Sequence, residues 1–202
     1  MNHAQVTVLT GVSSRSTAIS PVLLQLILAV LGSMLVAVCA HVSIPLVFTP
    51  VPLTLQTFAV LLLGLTLSPA TAFAALTLYL VEGAAGLPVF SPHGPGGLLQ
   101  ILGPTGGYLL SYPFAAALTA LIAKRLGKSF GTYAMSAAVG SLVILALGAS
   151  WLSVALHQSP VTTMKLAVWP FLPGDALKVC AAAGVAAGLR WTQSRLQSRN
   201  AF

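Results

Sequence analysis

The segment FLPGDALK (171–178) sets a carboxylate and an ammonium, Asp175 and Lys178, three residues apart in a chain with two acidic side chains among 202 residues. At that spacing on a helix both project to one face and can pair. Pro173 and Gly174 open the helix, and Asp175 in its first turn suits the positive end of the helix dipole. Lys178 does not suit that end, so it needs a reason other than helix stability. The pair offers an ammonium for an anion or carbonyl and a carboxylate that accepts N–H donors, which fits a small organic ligand with polar ends. The alternative is that Lys178 merely neutralises Asp175 or snorkels outward. The second acid, Glu82, lies in an apolar run, where ionisable side chains mark functional sites by default; snorkelling to the interface is its structural alternative.

Other polar and aromatic groups are predicted on the same side of the molecule as the pair. They are Thr54 and Gln56, then Tyr79, then Phe90, Ser91 and His93, and finally Tyr108, which follows the broken stretch LGPTGGYLL (102–110). Cys39 and Cys180 sit in apolar runs as small hydrophobes, and no Cys/His spacing makes a metal-ligand set, so no metal or cofactor is expected. His41 and His157 are read as interfacial and idle.

The elements that must carry these groups follow from composition. Hydrophobic residues make up 57% of the chain and charged ones 5%, and mean hydropathy is +0.96. Such a chain has too little polar surface for water and is expected to sit in a bilayer. The apolar runs are continuous rather than alternating, which predicts an all-α polytopic membrane protein and excludes a β-barrel. Six transmembrane helices are predicted, at 21–40, 55–67, 69–85, 105–123, 132–156 and 171–191. The run after Pro21 is too long for a signal-peptide core and is read as a retained span. Residues 1–20 are expected to form a cytoplasmic lead, 21–191 the membrane domain and 192–202 a basic cytoplasmic tail.

Lys and Arg orient this bundle. With the N-terminus inside, Arg15, Lys124, Arg125, Lys128, Arg190, Arg195 and Arg199 fall on the inner side and only Lys165 on the outer, a seven-to-one bias that predicts cytoplasmic termini. The same distribution accounts for the net charge of +7 without nucleic acid. Trp151 and Trp169 near the outer boundary and Trp191 near the inner one fit an aromatic belt. The Pro- and Gly-rich segments 41–54 and 86–104 then share the outer side. Irregular backbone at membrane depth survives only when buried in protein or lining a cavity, which predicts an outward-facing pocket.

VPLTLQ (51–56), GLPVFS (86–91), LGPTGGYLL (102–110) and PFLPGDALK (170–178) resemble the signature stretches of the BioY family, the biotin-binding S components of energy-coupling factor (ECF) transporters. The likeness spans roughly 25–190, with the motifs in order. It implies an ECF S-component-like six-helix bundle in a prokaryotic cell membrane, not an enzyme, holding biotin near the outer face under the loop after the first helix. It implies as partners a transmembrane coupling (T) protein and two ATP-binding-cassette ATPase subunits. Matching positions make Asp175, Lys178, Gln56 and the run Gly103–Tyr108, with Thr105 and Gly106, expected substrate contacts beside Thr54, Tyr79, Phe90 and Ser91. Gly103, Gly106 and Gly107 are read as letting backbone approach the ligand closely. Ala29, Ser33 and Ala37 recur every four residues, a small-residue stripe that lets another helix come close; packing within the chain's own bundle is one reading, and the resemblance implies the other, that the stripe docks on the coupling protein. SPHGPGG (91–97) and Glu82 depart from the family pattern.

Two other functions compete. A rhomboid-like intramembrane protease would need Ser141 of GSL (140–142) beside His157, and the surrounding Gly-x-Ser-Gly context is missing. A proton-coupled secondary transporter of a small organic solute would use Glu82 and Asp175. No Walker A sequence occurs, so ATP hydrolysis would belong to partner chains.

Overall fold

A computed structural model describes residues 20–127 and 129–199. The predicted lead with Arg15 (save Ser20), Lys128 and residues 200–202 lie outside the described residues.

Three of the helices begin at a Ser-Pro step. Ser20, Ser68 and Ser159 each accept a hydrogen bond from the backbone N–H three residues on, at 3.1, 3.2 and 3.3 Å, and the proline after each costs no hydrogen bond in the first turn. Eight helices result among the described residues: α1 (Pro21–His41), α2 (Gln56–Thr66), α3 (Pro69–Ala84), α4 (Gly97–Leu102), α5 (Gly106–Leu126), α6 (Phe130–Ala155), α7 (Pro160–Ala167) and α8 (Leu172–Arg199). Strands β1 (Ser43–Ile44) and β2 (Leu53–Thr54) pair antiparallel between α1 and α2, Ser43 opposite Thr54. Four helices, α1, α5, α6 and α8, are long and apolar enough to cross a membrane, and α2 and α3 are shorter apolar helices. The chain is an all-α, multi-pass membrane protein.

The six predicted segments correspond to α1, α2, α3, α5, α6 and α8, with two departures. At 11 residues α2 is only about 16 Å long, short of a full span of about 30 Å. The predicted tail is not separate, because α8 runs unbroken to Arg199. The short helices α4 and α7 lie in segments read as loops. Both sit at the end of the bundle that carries β1, β2 and the start of α8 (the pocket end); Lys124, Arg125 and the arginines of α8 mark the opposite, basic end.

Helix α5 is central, packing on α2, α3 and α6. Small residues set those distances: a Cβ at Gly64 would stand 2.8 Å from the Ala116 carbonyl oxygen, and one at Gly140 would overlap the Thr119 hydroxyl. Helix α1 is peripheral and packs mainly on α3, with Val22, Leu26, Val30, Met34 and Val38 exposed along its outer face.

That packing corrects the reading of Ala29, Ser33 and Ala37 as a docking face. Ala29 is buried, Ser33 is fully buried and Ala37 packs against the core. Next to them, a Cβ at Gly32 would lie 3.0 Å from that of Ala75 on α3. The Ser33 hydroxyl donates to the Glu82 carboxylate of α3. The stripe turns inward because small residues let α1 close on α3, and Glu82 gives the Ser33 hydroxyl a partner in an apolar interface.

Candidate functional site

The β1–β2 ladder, extended by Leu55 N–H donating to the Val42 carbonyl at 3.0 Å, closes the ends of the 43–54 segment and fixes the start of α2. Gln56 is therefore held in place and buried. Its side-chain oxygen accepts from the Thr54 hydroxyl at 3.0 Å, and its amide nitrogen donates to the Tyr79 hydroxyl at 2.6 Å. Tyr79 donates in turn to the Val89 carbonyl at 3.1 Å. The chain Thr54–Gln56–Tyr79–Val89 thus ties the first irregular segment to the second through α3. Phe90 stands edge-on to Tyr79, with centroids 5.3 Å apart at 76°, and lies over Gly83, where any Cβ would overlap its ring.

Below these segments lies a cavity with an open mouth. Val51, Pro52, Thr54, Gln56 and Thr57 line one side, Ser91 and Gln100 another, and Thr105, Tyr108, Leu109 and Tyr112 of the α5 entry a third. Ile144 and Leu145 of α6, Phe171, Asp175 and Lys178 complete the wall. Tyr108 donates to the Ala167 carbonyl at 2.8 Å and faces Phe171 at 6.3 Å between centroids, so its ring is fixed as a wall.

Asp175 and Lys178 form the pair that the spacing predicts, Nζ to Oδ1 at 3.1 Å, with side chains 8% and 12% exposed. The second Asp175 oxygen accepts from Ser141 of α6 at 3.4 Å. A buried ion pair repays its desolvation only when further hydrogen bonds complete it. Here Ser141 adds one, and the ammonium keeps two protons free of Asp175. This is the only ion pair among the described residues.

Of the expected contacts, Thr54, Gln56, Ser91, Thr105, Tyr108, Asp175 and Lys178 line one cavity. Tyr79 and Phe90 do not; they are buried behind it and brace Gln56 and the 86–91 segment. Gly106 is corrected as well, together with the close-approach reading of Gly107. A Cβ at Gly106 would overlap the Ile101 carbonyl, and one at Gly107 would overlap Trp151 and come 2.7 Å from the Leu147 carbonyl oxygen. These glycines admit helix backbone rather than ligand, while the Gly103 carbonyl accepts from the Trp151 indole at 2.9 Å. His93 is exposed. Gln100 and Tyr112 were missed. Gln100 is a lone amide in the apolar run GGLLQIL, and Tyr112 stands one helical turn after Tyr108, so both left a signal in the sequence.

Tyr79→Phe would leave the Gln56 amide and the Val89 carbonyl without their shared partner. It is expected to cost about 1–3 kcal/mol of stability. Thermal unfolding in detergent reads this directly; an unchanged midpoint would mean that the chain from Thr54 to Val89 holds nothing together.

The BioY family model matches residues 8–195. Two similar proteins are the "Probable biotin transporter BioY" of Pyrococcus horikoshii, 37% identical over 77% of this chain and 90% of that one, and the "Biotin transporter BioY" of Thermotoga maritima, 37% identical over 82% and 95%. The fold resembles that in "Crystal structure at 2.1 A of the S-component for biotin from an ECF-type ABC transporter", with a TM-score of 0.78 over 86% of this chain and 95% of that one at 24% identity. With four signature motifs in order and a match over nearly its whole length, the chain belongs to the BioY family.

Proposed function

We propose that the chain is the substrate-capture component of a biotin uptake system, binding biotin in the cavity beside Asp175 and Lys178 with the pocket end facing outward. The observation that carries this reading is the completed Asp175–Lys178 pair on the wall of an otherwise aromatic and aliphatic cavity. Biotin has a ureido ring with two N–H donors and one carbonyl, an apolar thiolane ring and a carboxylate tail. Tyr108, Tyr112, Leu109, Ile144 and Phe171 supply the apolar walls the thiolane needs. The pair carries no net charge, so it suits the neutral ureido ring, with N–H toward Asp175 and carbonyl toward Lys178. The tail carboxylate would there be a third buried ion without a counter-ion. The names of the similar proteins support the same ligand.

Transport inward would rest on an ATP-driven coupling module of separate chains, a T protein with two ATPase subunits. The rival chemistries lack support. Ser141 and His157 are separated by roughly 24 Å along α6, too far for a nucleophile and its base. Glu82 bonds to Ser33 and does not line the cavity, so no carboxylate relay with Asp175 is built.

Isothermal titration of the purified, folded chain without partners or ATP is expected to show saturable biotin binding at one site; no saturation would defeat the reading. Orientation has its own test. In a chain without Cys39 and Cys180, a cysteine at position 159 should react with an impermeant thiol reagent in intact cells, and one at 129 should not. The reverse pattern would turn the pocket to the cytoplasm.

A further inference from the structure

Helix α8 has 28 residues, about 42 Å, against about 30 Å of hydrocarbon, so its last turns stand clear of the bilayer core at the basic end. Trp191, Arg195 and Arg199 recur every four residues there and form one stripe, all three exposed. The Arg195 guanidinium lies over the Trp191 ring, 4.5 Å from its centroid. On the helical wheel this stripe is opposite Ala182, Ala183 and Ala186, the face that packs into the bundle. It continues the side on which Leu177 is exposed and a Cβ at Gly184 or Gly188 would meet nothing within 4 Å. The stripe therefore leaves the membrane along the lipid-facing side of α8.

No acidic side chain within the protein neutralises these arginines. Its only acidic side chains are Glu82 and Asp175; Asp175 is bound to Lys178 and Glu82 to Ser33, both toward the pocket end. We infer that the Trp191–Arg195–Arg199 face of α8 is a docking surface for the phosphate headgroup of an anionic membrane lipid. The indole sits at headgroup level and orders Arg195 by stacking, and the two guanidinium groups offer planar, paired donors to phosphate oxygens. A positive-inside bias by itself calls for basic residues but not for this alignment with an interfacial tryptophan on the lipid-facing side.

Native mass spectrometry of the full chain, titrated with phosphatidylglycerol or phosphatidylcholine, tests this. The first phosphatidylglycerol is expected to bind more tightly than phosphatidylcholine by roughly fivefold per arginine. Arg195→Gln with Arg199→Gln should erase the preference, Trp191→Ala should reduce it, and Lys124→Gln with Arg125→Gln should leave it in place. Equal binding of the two lipids, or equal loss in the Lys124 and Arg125 variant, would overturn the assignment in favour of diffuse charge. Cys180 is exposed on α8 and Cys39 is buried, so oxidation in vesicles gives a second readout. A Cys180–Cys180 dimer would mean that another copy covers this side, and would also overturn it. Biotin titration of the same variants separates this outcome from any failure at the pocket.

Discussion

Lys178→Ala and Asp175→Asn are each expected to weaken biotin binding by roughly 30-fold to several-thousand-fold, the usual result of removing one partner from a buried, hydrogen-bonded charge pair (about 2–5 kcal/mol). The two act for different reasons. Lys178→Ala removes the ammonium and leaves Asp175 buried with only Ser141 as its donor. Asp175→Asn leaves the ammonium without a counter-charge and replaces one acceptor by an amide N–H. Combining Asp175→Asn with Lys178→Met should recover part of the lost stability, since no lone charge remains, but none of the affinity. Lys165→Ala, at an exposed position on α7, is the control and should bind normally. Titration calorimetry with a parallel unfolding measurement separates the two effects. Normal biotin binding by both single variants would make the pair purely structural.

Gly107→Val is expected to be strongly damaging although Gly107 lies away from the pocket wall. Its Cβ would overlap the Trp151 side chain and stand 2.7 Å from the Leu147 carbonyl oxygen, and that oxygen belongs to helix backbone and cannot swing aside. Helices α5 and α6 would have to part, at a cost of roughly 3 kcal/mol or more. Because Trp151 holds the Gly103 carbonyl and Tyr108 is the next residue, biotin binding should fall with the unfolding temperature. Gly184→Ala, where a Cβ meets nothing within 4 Å, should instead leave the midpoint unchanged or raise it slightly through better helix propensity. Equal unfolding temperatures for the two variants would mean that α5 and α6 are not held at the distance seen here.

What sequence alone determined was what local spacing and lipid solvation control. Continuous apolar runs decide the membrane class and predict the segments that correspond to α1, α2, α3, α5, α6 and α8. The Asp175–Lys178 pair was legible because both groups sit on one helix, where a three-residue spacing alone brings them together. Which side each helix presents was not legible. A soluble helix declares its buried face by polarity, but in a bilayer the lipid-facing and core-facing sides are both apolar, so periodicity carries little information about rotation. For that reason the spacing of Ala29, Ser33 and Ala37 fits an outer face as well as an inner one, and packing turned the stripe onto α3. Tyr79, Phe90 and Gly106 were grouped with the cavity for the same reason, though they stand behind it or serve helix contacts, while Gln100 and Tyr112 reach it. Tertiary packing made those choices, because with no difference in polarity to steer rotation, only the fit of small residues against neighbouring backbone and the pairing of buried hydroxyl, amide and carboxylate groups could select one.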